Sequence, residues 1–210
     1  MLEAKCKKCR RAGEKLYLKG DKCFTPKCPF IERPYAPGIL DSQRKHRGTM
    51  SEYGTQLKEK QKVRNVYGVS EKQFSNYVKN LNLVANKNKI NATQALIVSL
   101  ESRLDNSVFR IGLASSRALA RQLVSHGHFT VNGKKLNVAS HTVKVGDVLA
   151  VREGSKGAKV FTMLAEKIKD IKTANWLTFD AATMSATVKA TPNDTDQKFD
   201  LQKVLEFYSR

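Results

Sequence analysis

Residues 113–135 read LASSRALARQLVSHGHFTVNGKK, a helix pattern that passes directly into a hairpin pattern. Ser115 or Ser116 can serve as the N-cap of the helix, because a serine hydroxyl accepts a hydrogen bond from the backbone N–H groups of the first turn. Leu119 and Leu123 stand four residues apart and share one face, which predicts that the helix packs on a core.

The hairpin pattern begins after Gly127, which is placed to end the helix. Residues 129–131 alternate as in a strand, and Asn132-Gly133 is a strong signal for a two-residue turn. A further strand is predicted over residues 145–151. The whole stretch therefore predicts a small unit made of a helix and a sheet.

Four cations of this unit could bind the phosphates of a nucleic acid. Arg117 and Arg121 lie about one helical turn apart, and each guanidinium can donate two parallel hydrogen bonds to a phosphate. The helix N-terminus adds backbone donors, and Lys134 and Lys135 extend the positive field along the hairpin. The alternative is an ordinary solvated helix face, which is what most arginine pairs form.

Helix patterns also precede this unit. A run rich in helix formers predicts a helix over residues 51–67. Ser70 followed by Gln73 is a capping box for a second helix, and Asn91 with Gln94 is expected to open a third in the same way. Each of these segments has apolar residues at helical spacing, so we expect a helical domain with its own core.

The net charge of the chain limits the classes of protein to which it can belong. The sequence has 38 Lys and Arg against 19 Asp and Glu, a formal charge of +19 that is too high for an ordinary metabolic enzyme. All of the excess lies in residues 1–160. Such a field indicates a polyanion partner, most commonly nucleic acid; a solvated basic surface or a membrane-surface binder is the alternative. We expect a cytosolic protein, because no apolar stretch could span a bilayer and the start has no apolar signal core.

Four cysteines form two close pairs separated by a loop. In the reducing cytosol such thiols are expected to bind a metal or stay free rather than form disulfides. Cys6, Cys9, Cys23 and Cys28 can converge on one tetrahedral ion, which favours a structural Zn²⁺ with no position left for water or substrate. An iron–sulfur cluster with the same ligands is the alternative. Residues 1–45 otherwise predict irregular structure that the metal would organise.

Several motifs resemble known proteins. The runs LESRLDN at 100–106, ASSRA at 114–118, HGH at 126–128, VNGK at 131–134 and VGDV at 145–148 resemble the S4 module, a small RNA-binding module also found in pseudouridine synthases and tyrosyl-tRNA synthetases. The flanking runs KLYLKG at 15–20, SEYG at 51–54, QLKEKQK at 56–62 and EFYSR at 206–210 resemble the bacterial small-subunit ribosomal protein S4 family itself, in its four-cysteine metal-binding type. The resemblance covers almost the whole chain.

This resemblance implies an α+β fold. It consists of a helical domain, an inserted small α/β RNA-binding module and a metal-organised N-terminal arm. The expected segments are 1–45 for the four-cysteine arm, 46–100 for the helical rRNA-binding domain, 101–165 for the module, and 166–210 for a C-terminal segment that packs back on the helical domain.

The resemblance also implies a function. Family members are structural constituents of the small ribosomal subunit and not enzymes. They bind a junction in the 5′ domain of its rRNA, nucleate assembly and help to line the channel through which mRNA enters. The expected partners are therefore rRNA, mRNA and neighbouring small-subunit proteins, number five among them, in the cytoplasmic ribosome. Neither a membrane nor a homo-oligomer is expected.

Candidate RNA-binding residues follow from the same resemblance and from the charge pattern. They are Arg117, Arg121, Lys134 and Lys135 in the module, Lys58, Lys60, Lys62 and Arg64 in the helical domain, and Arg44, Lys45 and Arg47 before the first helix of that domain. Lys7, Lys8, Arg10 and Arg11 can stabilise the cysteine thiolates and serve RNA equally well. The chain departs from the family at residues 38–42, where GILDS replaces Gly-x-His-Gly, so the direction of the three channel cations is open.

Two other classes of protein compete with this interpretation. An RNA-modifying enzyme would need a catalytic domain, and the aspartates near the C-terminus are scattered without the pairing that acid–base chemistry requires. A zinc-dependent DNA-binding regulator would need a base-reading helix beside the cysteines. His126 and His128 could bind a metal, but a position near the RNA face or at the helix end is favoured, and Trp176 is expected to be a packing anchor.

Overall fold

The structure is a computed structural model that describes residues 4–38, 50–158, 160–161 and 173–209. The chain divides into two compact units. Unit 1 comprises Met1–Asn80 with Gln197–Arg210, and unit 2 comprises Leu81–Asp196. No helix in the described ranges is both long and apolar enough to cross a membrane.

Unit 1 is helical in its described part. Its elements are α1 (Lys5–Ala12), a 3-10 turn (Gly20–Cys23), α2 (Pro29–Glu32), α3 (Glu52–Tyr67), α4 (Glu71–Lys79) and α10 (Leu201–Tyr208). The prediction of irregular structure over residues 1–45 is wrong for α1, which is a regular helix of eight residues. Apart from its two cysteines, α1 consists of lysine, arginine and alanine, which are all good helix formers.

The caps of α3 and α4 form as the sequence predicts. The Ser51 hydroxyl accepts a hydrogen bond from the Gly54 N–H at 3.2 Å, and α3 ends at Gly68 with a left-handed φ of 63°. Ser70 and Gln73 form the full capping box of α4. These local signals fix both ends of α3 and the start of the next helix.

Helix α10 packs on α3 and α4 to close the core of unit 1. Val63 of α3, Phe74 of α4 and Val204 of α10 are all fully buried. Aromatic pairs join the same helices, including Tyr53 with Phe207, whose ring centroids lie 5.5 Å apart. Of the expected C-terminal segment 166–210, only residues 197–210 belong to this unit.

Unit 2 combines helices with one sheet. Its described helices are α5 (Leu81–Asn88), α6 (Ala92–Glu101), α7 (Leu104–Ile111), α8 (Arg117–Ser125) and α9 (Glu153–Lys156). The described strands are β1 (Phe129–Val131), β2 (Lys134–Lys135), β3 (Val148–Val151), β4 (Leu177–Asp180) and β5 (Ser185–Val188). They form an antiparallel sheet in the order β2-β1-β3-β5-β4. The fold is therefore α+β, with a helical N-terminal domain and a module carrying a small sheet.

The predicted caps and turns of unit 2 hold in part. Ser116 caps α8, and the hairpin turn at Asn132-Gly133 has positive φ values of 50° and 79°, as its turn type requires. Asn91 stands at the N-cap of α6 but makes no side-chain cap hydrogen bond, so the expected capping box is absent there.

The predicted last strand starts later than expected, at Val148. The Asp147 carboxylate accepts hydrogen bonds from the Lys144 N–H and the Asn132 amide, both at 2.8 Å, and holds the preceding residues in a turn. Strands β4 and β5 extend the sheet beyond the strands that the sequence predicted. Trp176 is 2% exposed in the core beneath this sheet, which confirms its packing role.

Candidate nucleic-acid interface

A basic groove lies in unit 1, between α1 and α3, with a cavity of about 850 Å³. We call it the α1–α3 groove. Its cationic lining residues are Lys7, Lys8 and Arg11 of α1 and Lys58, Lys62 and Arg64 of α3. Its other lining residues are Ala4, Ala12, Met50, Gly54, Leu57, Gln61 and Asn65. The groove therefore combines a strongly positive lining with apolar and amide side chains.

Helical spacing explains why these side chains meet. On α3, residues 54, 58, 61, 62 and 65 are three or four apart and form one stripe along the helix. On α1, residues 4, 7, 8 and 11 repeat the same spacing. Each helix thus turns one basic stripe toward the groove.

Two of the predicted RNA-binding lysines of α3 have partners within unit 1. Lys60 is 5% exposed; its Nζ lies 2.7 Å from Glu71 Oε1 and 4.4 Å from the ring centroid of Phe207. Lys62 is 8% exposed and its Nζ lies 2.8 Å from Glu14 Oε1. Both lysines are thus bound to carboxylates of the same unit, and loss of one partner would leave the other charge uncompensated. Their RNA role stays a prediction.

The other cations of unit 1 are more open. Lys7, Arg11 and Lys58 make no ion pair with any residue that the structure describes. Lys58 reaches across to the end of α1, since a Cβ on Gly13 would lie 3.7 Å from its Nζ. Arg64 is half-buried, with Nη1 3.6 Å from Glu71 Oε2.

Arg10 has a different environment from its neighbours on α1. Its Nε donates to the Tyr35 carbonyl oxygen at 2.9 Å, and its guanidinium lies 4.8 Å from the centroid of the Tyr35 ring. Arg10 therefore ties α1 to the stretch that follows α2.

The four cysteines lie in the same part of unit 1. Cys9, Cys23 and Cys28 are buried, and Cys6 is half-buried. Burial raises the pKa of the Cys9 thiol; a hydrogen bond from the Leu16 backbone opposes this, and the charges of the other three cysteines add to it. The Lys19 N–H also donates to Cys23 Sγ at 3.4 Å. Among the described residues, no three Cys, His, Asp or Glu side chains are arranged to hold a metal ion.

In unit 2, Arg117 lies inside a network of partners. Its guanidinium makes two hydrogen bonds to the Asp196 carboxylate, at 2.6 and 3.1 Å, and one to Asn106 Oδ1 at 2.7 Å. It also lies 4.5 Å from the ring centroid of Phe109 and 3.8 Å from Glu101, which is fully buried. The Arg117 guanidinium, which was predicted to bind an RNA phosphate, therefore binds a carboxylate of the same unit. The RNA-binding role of Arg117 stays a prediction.

A second arginine belongs to this network, which the sequence did not reveal. Arg110 lies 3.1 Å from Glu101 and 3.3 Å from Asp194. The sequence shows Asp194 and Asp196 as isolated acids in a loop, yet both bind arginines about 80 residues earlier in the chain. Neither pair has a local signal in the sequence, because each acid and its arginine stand about 80 residues apart.

The hairpin presents its lysines to solvent. Lys134 and Lys135 pair with Val131 and Thr130 across the turn, and both side chains are exposed. A Cβ on Gly127 would lie 2.5 Å from Cε of Lys135, so the absence of a side chain at Gly127 lets Lys135 cross over it. Arg121, on the neighbouring helix α8, is half-buried.

His126 and His128 lie close together beside the same hairpin, with ring centroids 6.0 Å apart. His128 Nδ1 is 3.0 Å from Ser155 Oγ. Burial lowers the pKa of His128, with smaller contributions from the charges of His126 and Arg152. The position of His126 just after α8 agrees with the favoured expectation that the pair helps to end that helix.

Arg44, Lys45 and Arg47 lie outside the described residues, as do residues 39–42 of the departure from the family pattern. The expectation that these cations line a channel therefore stays a prediction.

Known proteins match almost the whole length of the chain. Residues 1–101 match the family described as "Ribosomal protein S4/S9 N-terminal domain", and residues 102–149 match "S4 domain". Small ribosomal subunit protein uS4 of Maridesulfovibrio salexigens is 48% identical over 210 residues, covering 99% of this chain and 98% of that protein. Its counterpart from Ruminiclostridium cellulolyticum is 46% identical with the same coverage, and that from Syntrophomonas wolfei is 45% identical over 207 residues.

Proposed function

Because the chain belongs to the uS4 family of small ribosomal subunit proteins, we propose that it holds folded rRNA mainly through its exposed cations. It is a structural constituent of the small ribosomal subunit that binds rRNA, and it is not an enzyme. Membership of this family places it in the ribosome of the cytoplasm. Two basic surfaces, one in each unit, would contact the rRNA.

The α1–α3 groove is the observation that supports this proposal. The groove is lined by three cations that make no ion pair with a described residue: Lys7, Arg11 and Lys58. Proteins contact structured RNA largely through phosphates and sugars, so a groove with several cations on two rigid helices suits a segment of RNA backbone. The Lys134–Lys135 hairpin would provide a second contact from unit 2.

The test is the salt dependence of binding to deproteinised small-subunit rRNA. Each lost phosphate contact lowers the slope of log affinity against log salt by about one. We expect the double variant Lys7→Gln, Lys58→Gln to lower the slope by about two. Lys72→Gln, on the exposed surface of α4 and outside the groove, is the matched control. An unchanged slope in a folded double variant would exclude the groove as an RNA site.

Finer aspects of the function are part of the same proposal. Binding would occur at a junction in the 5′ domain of the rRNA, early enough to nucleate assembly, with Arg44, Lys45 and Arg47 beside the channel through which mRNA enters. Neighbouring small-subunit proteins, number five among them, would contact the bound chain. Footprinting of rRNA by the purified protein tests the junction site. Crosslinking in assembled subunits tests the contacts with mRNA and with neighbouring proteins.

We also propose that Cys6, Cys9, Cys23 and Cys28 hold a structural Zn²⁺. The spacing of the two pairs, the burial of three thiols and the backbone N–H groups directed at Cys9 and Cys23 support this assignment. The ion would cross-link α1 to the 3-10 turn and the start of α2, and an iron–sulfur cluster could use the same ligands. Elemental analysis with a visible absorption spectrum distinguishes the two.

Removal of the metal provides the functional test of this site. A chelator, or the variant Cys9→Ser, is expected to make residues 1–45 sensitive to protease while α3, α4 and unit 2 stay folded. Restoring zinc to the chelated wild type should restore resistance, whereas Cys9→Ser should not recover. Equal resistance of the segment with and without metal would contradict the proposal.

A further inference from the structure

Two aromatic side chains near the cysteines face solvent. The rings of Tyr17 and Phe24 are stacked, with centroids 5.1 Å apart and an angle of 27° between their planes. Tyr17 is 41% exposed and Phe24 is 72% exposed. An exposed phenylalanine adds nothing to a core, and its ring offers most of its surface to a partner.

The backbone holds this pair in place at a conformational cost. Tyr17 has a φ of 49°, in the left-handed region that a bulky residue rarely adopts. Its neighbour Leu16 is 1% exposed, and the Leu16 carbonyl oxygen accepts a hydrogen bond from Gln197 Nε2 at 3.3 Å. Because Leu16 is anchored in the core, the left-handed turn directs the next ring outward beside Phe24.

The surroundings of the pair are positively charged. Lys19, Lys22 and Lys27 are exposed and make no ion pair with a described residue, and Asp21 is the one acidic residue among them in sequence. A polyanion would therefore be attracted to this surface. The combination of an exposed aromatic face with flanking lysines is typical of sites that bind single-stranded nucleic acid.

We infer that the Tyr17–Phe24 pair is a stacking platform for an unpaired base of the rRNA, with the base extending the stack on Phe24. The inference rests on the proposed rRNA binding and specifies one element of it. Sequence-specific contacts to RNA commonly use unstacked bases on aromatic rings, while lysines hold the adjoining phosphates. The platform is separate from the α1–α3 groove, since neither ring lines that cavity.

The first experiment compares affinity and salt dependence for deproteinised small-subunit rRNA. Phe24→Leu keeps an apolar side chain but removes the π face, and we expect binding to weaken roughly tenfold. Because stacking releases no counterion, the slope of log affinity against log salt should stay unchanged. Ile31→Ala, at another exposed apolar position of the same segment, is the matched control and should bind like the wild type. The metal content of all variants is measured, because Phe24 follows Cys23.

A second variant detects the stack directly. Phe24→Trp keeps an aromatic ring and should preserve affinity, and its new fluorescence should be quenched by rRNA. The native Trp176 is buried, so the wild type provides the background signal. Quenching with preserved affinity, together with the loss in Phe24→Leu, would support the platform.

The outcomes separate this inference from the function on which it rests. If the wild type fails to bind rRNA, the proposed function fails. If the wild type binds and Phe24→Leu binds equally well, or Phe24→Trp is not quenched, the platform is overturned. Impaired incorporation of Phe24→Leu into subunits with normal affinity for naked rRNA would assign the rings to a protein neighbour and also overturn it.

Discussion

Helix α3 of unit 1 and the β1–β2 hairpin of unit 2 are both rich in lysine, but their lysines have opposite surroundings. Lys60 and Lys62 of α3 are nearly buried and contact carboxylates and aromatic rings. Lys134 and Lys135 of the hairpin are exposed and make no ion pair with a described residue. The positive charge of the chain therefore contains two classes of cation: one is paired within the fold, and the other is exposed to solvent and, as we propose, binds RNA.

The arginines of unit 2 extend the comparison. Arg117 belongs with Lys60, because its side chain is 11% exposed and its guanidinium is bound to Asp196 and Asn106. Removing a cation of the first class should lower stability and leave the salt dependence of RNA binding nearly unchanged. Removing a cation of the second class should leave stability nearly unchanged and lower the salt dependence of RNA binding.

The largest effect on stability is expected from Arg117→Met. The substitution leaves the buried Glu101 with one cation fewer and Asp196 without its bidentate partner. The free energy of unfolding of unit 2 should fall by about 2–4 kcal/mol. Urea unfolding followed by the fluorescence of Trp176, which is buried in the core of unit 2, measures this.

Lys134→Met is the control for that experiment and should leave the unfolding midpoint unchanged. If Arg117→Met instead kept full stability while the salt slope of rRNA binding fell by about one, Arg117 would belong to the RNA-binding class.

Local signals in the sequence predicted much of the fold but could not separate the two classes of cation. The capping box at Ser70 and the turn at Asn132-Gly133 depend on neighbouring residues, so the sequence displays them directly. Asp196 and Asp194, the loop carboxylates that bind Arg117 and Arg110, stand 79 and 84 residues away in a stretch with no periodic pattern. Only tertiary folding brings those charges together.

At the candidate site, too, the sequence could not show which cations would be paired within the fold. The basic stripe of α3 was visible as Lys58, Lys60, Lys62 and Arg64, but alternate residues of a helix point to different faces. Lys58 and Lys62 therefore line the groove, whereas Lys60 contacts Glu71 on α4 and Phe207 on α10. Helix α1, which forms the opposite wall, was not predicted, because residues 1–45 were expected to be irregular.

A smaller loss of stability is expected from Lys60→Met in unit 1. Methionine keeps the aliphatic length but loses the ion pair with Glu71 and the contact with the Phe207 ring. The free energy of unfolding should fall by about 1–2 kcal/mol, since Glu71 is itself partly solvated. Faster hydrogen exchange of the α10 amides would report it, with Lys72→Met as control. Unchanged exchange would remove Lys60 from the fold-holding class.

Glu71 gives the same contact a pH dependence. Partial burial raises the pKa of Glu71, but hydrogen bonds from Lys60 and Tyr208, with the charges of Lys60 and Arg64, outweigh burial and hold the pKa below the ordinary 4.5. Its stabilisation is therefore present above pH 4.5 and is lost as the pH falls through the lowered folded pKa.

The corresponding variant is Glu71→Gln. Its deficit in stability should be full at pH 6 and shrink as the pH falls below 4.5 and the wild-type carboxyl becomes protonated. The deficit should be smaller than that of Lys60→Met, because Glu71 is exposed to screening by solvent. Thermal unfolding of the two proteins across this range measures it, and a deficit that did not vary with pH would show that the charge of Glu71 is immaterial.

The smallest effect on stability is expected from the hairpin lysines, whose removal should have a clear effect on the salt dependence of RNA binding. The double variant Lys134→Gln, Lys135→Gln should change the free energy of unfolding by no more than about 0.5 kcal/mol, because both side chains are exposed. If both lysines contact phosphates, the slope of log affinity against log salt should fall by about two. The single variant Lys135→Gln sharpens the test, because it removes one of the two exposed charges and leaves the backbone of the hairpin unchanged. A slope reduced by about one in Lys135→Gln and by about two in the double variant would mean that both lysines contact phosphates, whereas an unchanged slope in both would remove the hairpin from the interface.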